Sequence, residues 1–260
     1  MSEKAVFITG ASRGIGAEAA VAFAQHGYDV ALGYQDPKKE GRLNGVIERI
    51  HTEGQEAIGV RGDITTDEGL AAVTDQVGAW KSLNALVLNA AGGLEKDRVE
   101  ADPDYALHVN RDAQLALLSG LQYQLVAGSS VVFLTSDWAH KNGEVALPPF
   151  DYAPIASSKQ AGEKALRDRQ KELATYGSRL LVVTAGLVTG TAVGMFAQRS
   201  YPEFVQQQEA MGNVITAVEV GARVAEAVED PNLPSGHTVW IGADEATFMA
   251  NSPRPEVVQA

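Results

Sequence analysis

Val6-Phe7-Ile8-Thr9-Gly10-Ala11-Ser12-Arg13-Gly14-Ile15-Gly16 is the stretch that decides the reading of this chain. An apolar run of β-branched and aromatic character ends in a glycine-spaced turn, and an alanine-rich helical pattern follows to Gln25. Strand, glycine turn and helix in that order build an anion site, because the free N–H groups and positive end of the helix face the turn. Gly10 admits backbone angles that a side chain forbids, and Gly14 lets the backbone approach a pyrophosphate. Gly16 lets the helix lie close to the sheet. Ser12, Arg13 and Ile15 complete the turn, so the first fifteen or so residues predict a nucleotide site.

Working outward, short apolar runs alternate with helical patterns along the whole chain. Strands are predicted near 5–9, 30–33, 57–60, 85–88, 131–134, 180–183 and 238–241. Helices are predicted near 15–25, 41–52, 67–80, 104–125, 154–176 and 217–229. Uniformly apolar strands separated by helices specify a parallel sheet covered on both faces. The expected fold is therefore α/β, a Rossmann-type doubly wound sheet of about seven strands in one domain over residues 1–260. Residues 190–213 lack a strand pattern and follow the sixth strand, which marks them as a candidate substrate lid. Met195, Phe196, Tyr201, Phe204 and Met211 make that lid apolar, suited to a hydrophobic substrate. The tail, residues 251–260, carries two prolines and reads as loosely ordered or as an oligomer contact.

The 260 residues are 45% hydrophobic and 21% charged, an ordinary globular balance. No apolar run reaches the roughly 18 residues that span a bilayer. Met1-Ser2-Glu3-Lys4 leads directly into the first strand, leaving no room for a signal peptide, and a cytoplasmic location is expected. The absence of cysteine removes disulfides, thiolate ligands and a Cys nucleophile. A net charge of −12 argues against nucleic-acid binding. The five histidines show no metal-ligand spacing, so no metal site is expected; His140, just beyond the fifth strand, is a candidate substrate contact.

Thr9-Gly10-x-x-x-Gly14-Ile15-Gly16 resembles the phosphate turn of the classical short-chain dehydrogenase/reductase family. Further landmarks fall in that family's order. Gly62-Asp63-Ile64 follows the third strand, where the resemblance implies that Asp63 bonds the adenine amino group. Leu88-Asn89-Ala90-Ala91-Gly92 is similar to the family's Asn-Asn-Ala-Gly element, with Leu88 in place of the first Asn and Ala91 in place of the Gly. Asn110 matches the helix-four Asn, whose implied role is to hold a water joining the Lys to solvent. Ser136 matches the catalytic Ser and Lys159 the Lys of the Ser-Lys-Ala-Ala segment. Thr184 to Thr191 resembles the turn that holds the nicotinamide amide, implying cofactor contacts from Val188 and from the hydroxyl of Thr189 or Thr191. The family implies a small-molecule substrate and a homodimer or homotetramer.

Two departures matter. The position that carries an acidic residue in NAD-specific members is Tyr34, while Arg13 stands in the turn and Lys38 and Lys39 follow the second strand. NADP(H) is therefore the expected cofactor, with NAD(H) possible. The family's Tyr-x-x-x-Lys pair is broken, because Ile155 stands four residues before Lys159. The nearest tyrosine is Tyr152, seven residues before the lysine and ahead of Pro154. Three readings stay open. Tyr152 is the acid of a carbonyl reductase, with Asn110, Ser136 and Lys159. Alternatively, Tyr152-x6-Lys159 is the pair used by the enoyl-thioester reductase branch. In the third, the tyrosine is lost, leaving a Tyr-independent reductase or a cofactor-binding protein without turnover.

Overall fold

A strand covered on both faces must be apolar on both, and β1 (Lys4–Ile8) meets that condition from Ala5 onward. Val6 and Ile8 pack into one core and Ala5 and Phe7 into the opposite one, the period-two signature of a strand between two helical layers. The computed structural model describes residues 4–255. It continues through α1 (Gly14–Gln25), β2 (Tyr28–Tyr34), α2 (Glu40–Thr52), β3 (Ala57–Arg61), α3 (Asp67–Gly78) and β4 (Leu83–Leu88). A short α4 (Lys96–Ala101) precedes α5 (Tyr105–Leu107), a π turn (His108–Asp112) and α6 (Ala113–Leu121). Then come β5 (Leu125–Ser136), α7 (Asp137–His140), α8 (Ala153–Asp168), α9 (Gln170–Thr175) and β6 (Arg179–Ala185). The chain closes with β7 (Leu187–Thr189), α10 (Ala192–Ser200), α11 (Pro202–Ala210), β8 (Val214–Thr216), α12 (Ala217–Glu229), β9 (His237–Ile241) and α13 (Glu245–Asn251).

The seven main strands pair in parallel in the order β3-β2-β1-β4-β5-β6-β9, so the Rossmann-type sheet expected from sequence is the one found. Helices α1, α2 and α12 cover one face; α3, α6 and α8 cover the other. The strand order reverses between β1 and β4. At such a switch point the two neighbouring turns diverge and leave a crevice beyond the carboxyl ends of the strands.

The differences from the sequence reading have local causes. The helix expected over 104–125 stops at Leu121, because Leu125 already pairs with Leu83 and begins the long β5. The helix expected over 154–176 breaks at Arg169. The segment 190–213 contains two helices, α10 capped by the Thr191 hydroxyl and α11 opened by Pro202. Two short strands, β7 and β8, pair with each other at its base. Beyond α13 the tail is held as far as Arg254: Ala146 N donates to the Pro253 carbonyl at 2.7 Å, and Arg254 Nη1 to the Glu144 carbonyl at 3.1 Å. Residues 256–260 of the expected tail lie outside the described residues.

Candidate active site

The phosphate turn is fixed from below by Asn89. Its Nδ2 donates to the carbonyls of Thr9 (2.8 Å) and Gly10 (3.3 Å), while the Thr9 hydroxyl accepts from the amides of Asn89 and Ala90, each at 2.9 Å. Gly10 takes a left-handed φ of 66°. A Cβ on Gly16 would lie 2.6 Å from both Asn89 Nδ2 and the Gly10 carbonyl, so only glycine lets α1 start so close to β4. Asn89 therefore acts as a strut joining the first turn to the fourth.

One cavity of about 500 Å³ runs along the switch point. Gly10, Ser12, Arg13, Gly14, Ile15, Asp63, Ile64, Asn89, Ala90 and Ala91 line its cofactor end, and Ser136, Tyr152, Lys159, Val188 and Thr191 line the rest. Gly16 and Asn110 lie behind the wall rather than in it. At the end of β2, the cations Arg13, Lys39 and Arg42 line the cavity beside Tyr34, and among the described residues none of the three forms an ion pair. Three cations without an ion-pair partner among the described residues, at the end of the strand beside Tyr34, fit a phosphorylated ribose better than a free hydroxyl. Arg42 had no signal in the sequence, since an arginine in the first turn of an exposed helix looks like any solvated charge.

Asp63 is more engaged than its motif suggests. Its Oδ1 accepts from the Thr65 amide (3.0 Å) and hydroxyl (2.6 Å), and Oδ2 from Arg98 Nη1 (3.2 Å) and the Gln35 amide. Burial works against its charge, yet the bonds from Thr65 and Arg98 hold the carboxyl below its usual range.

At the mouth of β5 the Ser136 Oγ and the Tyr152 hydroxyl are hydrogen-bonded at 2.9 Å, both groups buried. Ser136 also caps α7, accepting from the Ala139 amide at 3.2 Å. Tyr152 stands at the N-cap of α8, one residue before the helix begins, which is why helical spacing could not locate its hydroxyl. Its ring is held edge-on by Trp138 and Phe150, at centroid separations of 6.4 and 5.8 Å. Burial pushes its phenol up to about 12; the Ser136 bond opposes this and the nearby Asp137 adds to it. Ile155, at the position where the family has its tyrosine, is buried against the Gly93 region.

Lys159 lines the same cavity, with its Nζ donating to the Leu134 carbonyl at 3.0 Å. Burial without an acidic partner draws the ammonium down to about 8. Asn110 sits in the π turn with its side chain fully used: Oδ1 accepts from the Gly92 amide (3.2 Å), and Nδ2 donates to the Gly92 carbonyl (3.0 Å) and Ser158 Oγ (2.9 Å). Its backbone carbonyl is approached by Gly162 of α8, where a Cβ would come within 2.2 Å. His140 turns away from the cavity; Nδ1 bonds both Glu163 oxygens at 2.9 Å, and its ring meets Trp240 edge-on. Its ring is committed to those hydrogen bonds instead of the substrate space.

Comparison with known proteins agrees with this architecture. A family model described as enoyl-(acyl carrier protein) reductase matches residues 10–232. The 1-cyclohexenylcarbonyl-CoA reductase of Streptomyces collinus is 30% identical over 196 residues, 73% of this chain and 66% of that enzyme, so the chain matches just under two thirds of that relative. The glucose 1-dehydrogenase of Gluconobacter oxydans is 27% identical over 92% of this chain and 90% of its own. A short chain dehydrogenase from Burkholderia cenocepacia, solved in complex with NADP, superposes with a TM-score of 0.79 at 26% identity, covering 93% and 97% of the two chains. With a seven-stranded switch-point sheet, a glycine phosphate turn and a family match over most of its length, the chain belongs to the short-chain dehydrogenase/reductase family.

Proposed function

We propose that this protein is an NADP(H)-dependent carbonyl reductase of small, apolar ketones, with Tyr152 as the proton donor. The observation that carries the reading is the buried 2.9 Å pair of Tyr152 and Ser136 in the same cavity as the phosphate turn. The cations Arg13, Lys39 and Arg42 and the glycine cradle fit a phosphorylated dinucleotide, in keeping with the NADP held by the Burkholderia relative. When bound, the reduced nicotinamide supplies a hydride to the carbonyl carbon. The chain's own residues manage the oxygen. Ser136 and Tyr152 hold the carbonyl oxygen between their hydroxyls, and as its π bond opens the Tyr152 O–H passes its proton to the alkoxide. A phenol raised to about 12 stays protonated throughout the neutral range and so is charged with its proton before each turnover. Lys159 holds the ribose side of the cleft, and Asn110 acts at one remove by tying Gly92 to α8 through Ser158. Helix α10, whose Ala192, Val193 and Met195 line the cavity, serves as the lid.

Replacing Tyr152 with Phe tests this. NADPH oxidation with a ketone panel should fall by about three orders of magnitude or more, near 4 kcal/mol of transition-state stabilisation. Unchanged turnover refutes the assignment. A second reading, reduction of an enoyl thioester by the same Tyr152-x6-Lys159 pair, is favoured by the description of the matching family model. It predicts NADPH oxidation with α,β-unsaturated thioesters and none with saturated ketones.

A further inference from the structure

A second cavity, of about 550 Å³, lies beyond the catalytic one, between the loop 146–149, the start of α11 and the tail at Ser252 and Pro253. Among the described residues, Trp138 alone lines both cavities. Its indole is 5% exposed and pinned on three sides. Tyr152 and Phe248 meet it edge-on at 6.4 and 5.9 Å, and Phe204 lies tilted against it at 5.7 Å. Phe150 extends the partition by packing on Tyr201 at 5.5 Å and on Phe204 at 6.2 Å. An aromatic ring held by several such contacts does not swing aside for a substrate without breaking them.

We infer that Trp138 is a specificity-determining wall: it ends the substrate space at the Tyr152 hydroxyl, restricts the site to compact ketones, and separates it from the second cavity, which its removal would join to the first. The inference rests on reading the Tyr152–Ser136 pair as the carbonyl site, and it goes further by fixing the substrate's length.

The test uses the wild-type protein loaded with NADP, Trp138→Ala, and the milder Trp138→Leu in case the full truncation unfolds. Two readouts are taken on straight chains from four to ten carbons: turnover of 2-alkanones with NADPH, and calorimetric binding of 2-alkanols to the NADP-loaded protein. In wild type both should rise over the first carbons and then stop. In Trp138→Ala the rise should continue at about three- to fourfold per added methylene, and Trp138→Leu should move the break by one or two carbons. A wild-type series that climbs without a break, a break that stays put in both variants, or alkanols that bind neither wild type nor variants would overturn the inference. A moved break in alkanol binding, with no ketone turned over by any of the proteins, would uphold the wall and defeat the carbonyl reading instead.

Discussion

The ammonium of Lys159 is held in the cleft by a backbone carbonyl and has no acidic partner among the described residues, and this should make the cofactor-free protein less stable than it need be. Its pKa falls from 10.5 to about 8, a difference of about 2.5 units, or roughly 3 kcal/mol at 1.36 kcal/mol per unit. The native state binds fewer protons than the unfolded chain between those two values. Stability is therefore highest above pH 10.5, declines as pH falls through 8, and carries the full penalty at pH 7. Lys159→Met removes the charge. It also removes a bond to the Leu134 carbonyl, which costs about 1 kcal/mol, and that loss is the same at every pH. The pH dependence therefore isolates the buried charge. Urea unfolding of the cofactor-free protein, followed by far-ultraviolet circular dichroism at one protein concentration, should show the variant about 1–3 kcal/mol more stable at pH 7. That advantage should shrink by about 2–3 kcal/mol at pH 10. The same variant should bind NADP more weakly. An advantage of equal size at both pH values, or none at pH 7, would refute the account of Lys159 as a charge that the fold tolerates for its ligand.

Three further outcomes follow from the geometry. Arg42→Ala, alone or with Arg13→Ala, should raise the KM for NADPH by about 10- to 100-fold per lost charged hydrogen bond while leaving NADH kinetics nearly unchanged; equal effects on both cofactors would remove these cations from the phosphate site. Gly16→Ala should cost about 1–3 kcal/mol in unfolding free energy and weaken cofactor binding, since its Cβ would strike Asn89 and the Gly10 carbonyl at 2.6 Å. Asp137, wholly buried, with Oδ1 accepting from Thr184 at 2.7 Å and Oδ2 without a hydrogen-bond partner among the described residues, is raised by burial from 3.8 to about 7. Its contribution to stability is complete below pH 3.8 and is lost as pH rises through 7, about 4 kcal/mol at most; Asp137→Asn should flatten that slope in unfolding measured at pH 5 and pH 8.

How far the site could be read in advance differs residue by residue. Gly10, Gly14, Asp63, Ser136 and Lys159 each sit at the end of a strand or within a helix, where neighbours in sequence set the geometry. Asn110 was found by its motif, but its surroundings were not, because the π turn and the approach of Gly162 depend on how α8 crosses it. Asn89 falls within a motif legible in the sequence, yet the bonds of its side-chain amide to the Thr9 and Gly10 carbonyls, 80 and 79 residues away, depend on how the first and fourth strands lie side by side. Arg42 and Trp138 escaped notice altogether, because a solvated arginine and a buried tryptophan carry no local pattern that separates them from their bland counterparts.

What the sequence determined by itself is therefore the framework. Uniformly apolar strands and a glycine turn before an alanine-rich helix are constraints satisfied within a few residues, and they specify the parallel sheet and its switch-point crevice. What only the tertiary structure decided is where the displaced tyrosine points. Tyr152 lies before its helix, at the end of a long connection, so no periodicity fixes it. Trp138 from α7 and Phe150 from the connection hold its ring, and the hydroxyl of Ser136 from β5 pairs with its own at 2.9 Å. A loop's path is set by the surfaces it packs on, and those surfaces come from distant parts of the chain.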